Sequence, residues 1–166
     1  MIIRRIIFVL VILGLQGAMG AVLPEYISPP DLFLLVALHI ATRVPFFWAL
    51  CIGYGIGLLQ DVLGVGLLGF HAAGILAGVF VSSFVRRGLS AETSLNHALA
   101  AFVALLAKWL VFIALNYWTR QGLITFETLL YRFLPEVIVT LAIGPIVFAF
   151  ANWSFGRNNA NDEQLL

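Results

Sequence analysis

Lys108 is the residue of this sequence whose position most needs a physical explanation. It stands near the middle of a long apolar stretch, Leu95 to Trp118. A lysine at that depth in a bilayer costs roughly 3 kcal/mol on insertion scales, so it must face protein or water. His97 precedes it by eleven residues, which places the two about 20° apart around a helix. Ala101 and Ala104 fall on the same stripe, so this small, polar face is expected to pack on another helix. Glu136 and Asp61 are the carboxylates considered as a structural partner for Lys108. The alternative is a cation that faces a ligand or a bound protein. Glu136 follows Pro135 at the start of a further apolar run, where a helix N-terminus favours an acid. Asp61 ends a run, and either caps the turn into Gly64 or joins a functional cluster at the outer rim.

The remaining reactive residue types lack partners in sequence. His39, His71 and His97 lie on three different segments, and no pair has the spacing of metal ligands. The single Cys51 excludes an internal disulfide and a multi-cysteine metal site, and reads as a small packing residue. Ser82, Ser83, Ser90, Ser94 and Ser154 sit at segment ends or in loops without a nucleophile motif. Asp31, Asp61 and Asp162 are the only aspartates, too few for an intramembrane aspartyl or metal-phosphotransfer centre. The run Gly53-Tyr54-Gly55-Ile56-Gly57 has no lysine after it and is no phosphate loop. No enzyme and no cofactor is expected.

Composition says what must position these residues. The chain is 62% hydrophobic and 10% charged, against roughly 25% charged in a soluble domain. A soluble fold could not cover its surface on that allowance. The pattern predicts an all-α integral membrane protein, a bundle of about six transmembrane helices filling residues 1–156, with a polar cytoplasmic tail over 157–166. The segments run from about Ile6 to Leu23, Asp31 to Thr42, Phe46 to Val62, Leu67 to Val85, Leu95 to Trp118, and Leu134 to Trp153. The first resembles a signal sequence but is long enough to be retained as an anchor. The second rises only about 18 Å and must be tilted, extended into the interface or shielded by neighbours. Thr119 to Phe133 is the longest loop, with apolar residues spaced for a helix lying on the membrane surface. Gly144-Pro145 predicts a kink in the last segment.

An even number of crossings puts both termini on one side. Arg4, Arg5, Arg43, Arg86, Arg87 and Arg157 gather there, against Arg120 and Arg132 opposite, so both termini are expected to be cytoplasmic. There is no basic tract for nucleic acid. Gly53 and Gly57, and then Gly74, Gly78 and Ser82, form ladders that let helices approach closely, within one bundle or against a partner.

Three stretches carry a family resemblance: Pro30-Asp31-Leu32-Phe33-Leu34-Leu35, then Gly53 through Gly57 to Asp61, then Gly66-Leu67-Leu68-Gly69-Phe70-His71. A proline-led leucine run, a glycine ladder ending in Asp61 and the Leu68-Gly69 pair resemble the rod shape-determining MreD family. The likeness spans the chain in layout and residues 29 to 75 in motif; Lys108 is not part of it. It implies a multi-pass protein of the bacterial inner membrane. Its role would be a non-enzymatic scaffold of the elongation machinery that builds side-wall peptidoglycan. The implied partner is MreC, a single-span protein, and through it MreB filaments, RodA and a penicillin-binding transpeptidase. The resemblance also implies a helix arrangement like that of the substrate-binding membrane components of vitamin transporters. A small-molecule-binding transporter subunit is therefore the main alternative, with His39, Asp61 or Lys108 lining its site. A membrane assembly factor for another partner is a further one.

Overall fold

The computed structural model describes residues 2–24, 28–64, 67–87, 94–119 and 125–156. The expected polar tail, the loop over 88–93, Gly66 and Arg120 lie outside them. The described residues form helices and connecting turns, with no strand. They are α1 (Ile2–Val22), α2 (Leu32–Ala41), α3 (Phe46–Leu63), α4 (Phe70–Arg87), α5 (Ser94–Trp118), the short α6 (Phe126–Thr128), and α7 (Leu134–Phe155). Four stretches are long and apolar enough to cross a membrane: Ile3–Val22, Phe46–Leu63, Leu95–Trp118 and Leu130–Phe155. Large apolar side chains on their outer faces, such as Leu10, Phe47, Leu110 and Ile146, are more than half exposed. Such a surface suits hydrocarbon, not water.

Helix α2 is the centre of the bundle. Its ten residues span only about 15 Å, and Leu32, Leu34, Leu35 and Leu38 are 0% exposed. It packs against α1, α3, α4 and α7. Shielding by neighbours is thus how a short apolar helix is accommodated. Its first amide, Leu32 N–H, donates to Gln16 Oε1 at 3.1 Å. Gln16 lies six residues before the end of α1, about 9 Å along its axis. The start of α2 therefore sits well inside the bundle.

Five arginines meet at the opposite end. Arg4 lies over Trp153 and Arg5 over Phe155, at 5.2 and 5.6 Å. Arg43 Nη2 donates to Asn152 Oδ1 at 2.7 Å. Arg86 Nη1 donates to the Leu38 carbonyl at 3.2 Å, in the last turn of α2. Arg87 stacks on Phe46 and Phe84. Ser154 Oγ donates to the Arg4 carbonyl at 3.3 Å, so the described ends of the chain lie together.

The segment expected as a surface helix is different where it is described. Phe126–Thr128 is α-helical, Leu129–Phe133 is π-helical, and both run into α7 without a break. Pro135 supplies a reason: it offers no N–H and its ring would collide with the carbonyl four residues back, which a wider turn relieves. Leu130 is exposed, but Phe133 folds inward onto Trp109 at 5.3 Å. Leu123 lies outside the described residues. Helix α7 continues through Gly144 and Pro145 to Phe155. Cys51, expected as a small packing residue, is exposed on α3.

Candidate functional site

Lys108 finds two carboxylates. Its Nζ donates to Asp31 Oδ2 at 2.6 Å and to Glu136 Oε1 at 2.5 Å. The three residues are 2%, 1% and 4% exposed, so the triad is sealed from its surroundings. Each member has a further fixed contact. Asp31 caps α2 by accepting from Leu34 N–H at 2.9 Å through Oδ1, and its own N–H donates to Thr140 Oγ1 at 3.0 Å. Glu136 Oε2 accepts from Trp109 Nε1 at 3.2 Å. The Lys108 ammonium also lies 5.2 Å from the Phe112 ring centre. Helices α2, α5 and α7 are thereby tied at one buried point. Two carboxylates face one ammonium there, with an indole N–H and a helix N-terminus as additional positive dipoles.

Sequence reasoning named Glu136 correctly and Asp61 wrongly as the partner of Lys108. It missed Asp31 in that role, along with Trp109, Thr140 and Gln16. Glu136 stands in the first turn of α7, as expected, but the helix dipole is not its main partner. Helix precedes it from Phe126, so it does not stand at an open N-terminus. Its carboxylate is held by Lys108 and Trp109 instead.

Asp61 serves the helix after its own. It does not cap the turn into Gly64, whose N–H bonds the Gln60 carbonyl at 2.9 Å. It reaches across to α4 and accepts from the N–H groups of Gly69, His71 and Ala72 at 2.8, 2.9 and 3.1 Å. His71 Nδ1–H adds a bond to Oδ1 at 2.9 Å. Those are the donors that a helix start leaves without intrahelical partners. Gly69 makes the turn with φ +98°, a conformation that L side chains rarely adopt. We expect Asp61→Ala to lower stability in detergent by about 2 kcal/mol, the upper end for a lost cap. Asp61→Asn keeps one acceptor oxygen and should lose less. Melting of the two purified variants compares them directly, and equal losses would contradict the capping role.

The three histidines do not gather at one site, although two of them share a neighbour. His39 and His97 both meet Phe148 at a tilt, with ring centres 5.8 and 5.3 Å away, toward the arginine end. His71 sits with Asp61 at the α3–α4 turn and meets Phe112 edge-on at 5.2 Å. Among the described residues no three His, Cys, Asp or Glu side chains form a metal-binding group.

The glycine ladders are filled from within the bundle. A Cβ on Gly53 would lie 3.1 Å from Val79 Cγ2, and one on Gly57 2.7 Å from both Ala72 N and the His71 carbonyl oxygen. Gly74 admits the stem of Lys108 and the Phe112 ring, and Gly78 abuts Leu34 and the Ala104 carbonyl. Ala101 and Ala104 are buried in the same packing. Of the two readings of these ladders, packing within one bundle is the one the structure shows: α3, α4 and α5 occupy these faces mutually. No protein-family model, curated protein or solved structure matches this chain.

Proposed function

We propose that this chain is a multi-pass, non-enzymatic scaffold of the bacterial inner membrane, of the MreD kind. In this reading it binds an MreC-like single-span protein and so serves side-wall peptidoglycan synthesis, with MreB, RodA and the transpeptidase as indirect partners. The observation that carries the reading is the triad of Lys108 with Asp31 and Glu136. Its hydrogen bonds run between helices inside the bundle and fix one arrangement of them. The residues of the motif resemblance do similar work: Asp31 caps α2, Asp61 caps α4, Gly57 admits α4, and Gly69 turns the chain. A protein whose polar residues hold its own shape suits presentation of that shape to a partner.

Six crossings, the four long apolar stretches with α2 and α4 added, would place the arginine end in the cytosol by the positive-inside rule. Helix α2 would count as a crossing only because its neighbours complete the span. The small-molecule alternative wants His39, Asp61 or Lys108 on an accessible site. Against it, Lys108 and Asp61 are each bonded within the protein, and His39 packs at a tilt against Phe148 and Phe155.

The packed glycine faces leave α1 as the contact surface in this proposal. Little of its apolar length is buried, and a Cβ on Gly14, Gly17 or Gly20 would meet nothing within 4 Å. Co-purification in detergent with an MreC-like protein tests the reading. Wild type is expected to retain the partner. Gly17→Leu is expected to release it while the melting temperature stays unchanged. Failure of wild type to retain any such partner would sink the scaffold reading, whereas retention by Gly17→Leu would move the contact off α1.

A further inference from the structure

At the arginine end a cleft of about 320 Å³ opens between the α2–α3 turn and the last turn of α4. Thr42, Val44 and Phe46 form one wall, and Ser83, Arg86 and Arg87 the other. No carboxylate is among the described residues that line it. Both guanidinium groups are braced. Arg86 is held by the Leu38 carbonyl, and Arg87 lies 5.5 and 5.2 Å from the Phe46 and Phe84 ring centres. The hydroxyls of Thr42 and Ser83 already donate to the carbonyls of His39 and Val79, both at 2.7 Å. They can only accept further bonds, so donors for a ligand must come from guanidinium and backbone N–H groups. The first turn of α3 adds such groups. Its N-cap is Pro45, which provides no side-chain cap, and the positive end of the helix dipole faces the same turn.

A cleft with guanidinium donors, bounded by Val44 and Phe46, fits a ligand with an anionic head and an apolar body. Within a membrane protein the abundant molecule of that description is an anionic phospholipid. We propose that this cleft holds the phosphate-bearing headgroup of an anionic phospholipid, with its glycerol and first acyl carbons against Val44 and Phe46. The proposal rests on the membrane character of the chain and is independent of the scaffold reading.

The test uses the intact protein in detergent with equal phosphatidylglycerol and phosphatidylcholine, and native mass spectrometry to count the lipid retained. Each basic residue near an anionic headgroup contributes about fivefold, so two arginines give roughly thirtyfold preference for the anionic lipid. Arg86→Gln combined with Arg87→Gln should bring that preference close to unity. Arg4→Gln combined with Arg5→Gln removes the same charge at the same end but outside the cleft, and should keep most of it. Equal losses in the two double variants would mean a diffuse field and overturn the proposal.

A readout on wild type alone covers the case of a misfolded variant. Phosphatidylglycerol with a photoreactive group at its head should label peptides containing residues 41–46 and 83–87. Labelling confined to other helices would reject the site. Inorganic phosphate should leave the labelling in place. If phosphate alone displaced the lipid, the site would be one for free phosphate and the lipid assignment would fall.

Discussion

Replacing Lys108 with Met is expected to cost about 3–5 kcal/mol of stability in detergent, the range for breaking a buried ion pair by removing one partner. The variant keeps the volume of the side chain and its fit beside Gly74. What it loses is the positively charged side chain that bonds both Asp31 and Glu136, which remain sealed at 1% and 4% exposure. The triad holds more formal negative than positive charge, so its members should not be equivalent. Glu136→Gln leaves Lys108 paired with Asp31 and buries no unpaired charge, although its single amide oxygen can accept from only one of Lys108 and Trp109. It should therefore be far milder than Lys108→Met. A fully neutral triple variant, Asp31→Asn with Lys108→Met and Glu136→Gln, should recover much of the loss, because no uncompensated charge stays buried. Melting midpoints followed by size-exclusion chromatography order the three. If Lys108→Met were as stable as Glu136→Gln, the triad would not be holding the bundle.

The logic of this centre was half legible in the residues. The cost of a mid-span lysine demands a carboxylate, and Glu136 was found on that ground. Asp31 was missed because it opens a segment directly after Pro29 and Pro30, and a residue at a segment boundary carries no sign of its depth in the bundle. The available clue was length. A run from Leu32 to Ala41 is too short to cross a membrane, so one of its ends must lie inside the protein. An aspartate at that inner end needs a cation, and Lys108 is the single charged residue midway along a span. Reading these two facts together would have joined them. Asp61 illustrates the opposite difficulty. Its partners are backbone amides eight to eleven residues later, and no residue type advertises a backbone donor. The presence of long apolar helices was plain because composition and run length decide it. The π-helical stretch before α7 was hidden, since the apolar spacing over that segment is the same for a surface helix and for a continuation of α7.

The glycine faces show why a small-residue pattern alone cannot tell internal packing from partner binding, and they yield the second large effect. Gly57→Ala is expected to lower stability by about 3 kcal/mol, at the upper end for overpacking. The added methyl would fall 2.7 Å from the Ala72 nitrogen and the His71 carbonyl oxygen. These are backbone atoms of the first turn of α4, which Asp61 fixes through three amides. No rotamer change can make room, so α3 and α4 must separate, and the cap is strained along with the packing. Gly53→Ala meets only the Val79 side chain, at 3.1 Å, and should lose less. Gly55 lies two residues from each and has open space around it; Gly55→Ala should be neutral or gain a few tenths of a kcal/mol from helix propensity. This ranking separates packing from partner binding because it is measured on the isolated protein. Equal melting midpoints for Gly57→Ala and Gly55→Ala would mean that α3 and α4 do not touch at Gly57. A large loss at Gly57 alone would mean that the conspicuous ladder of the motif holds the fold, and that partners must be sought on faces where the glycines have no neighbour.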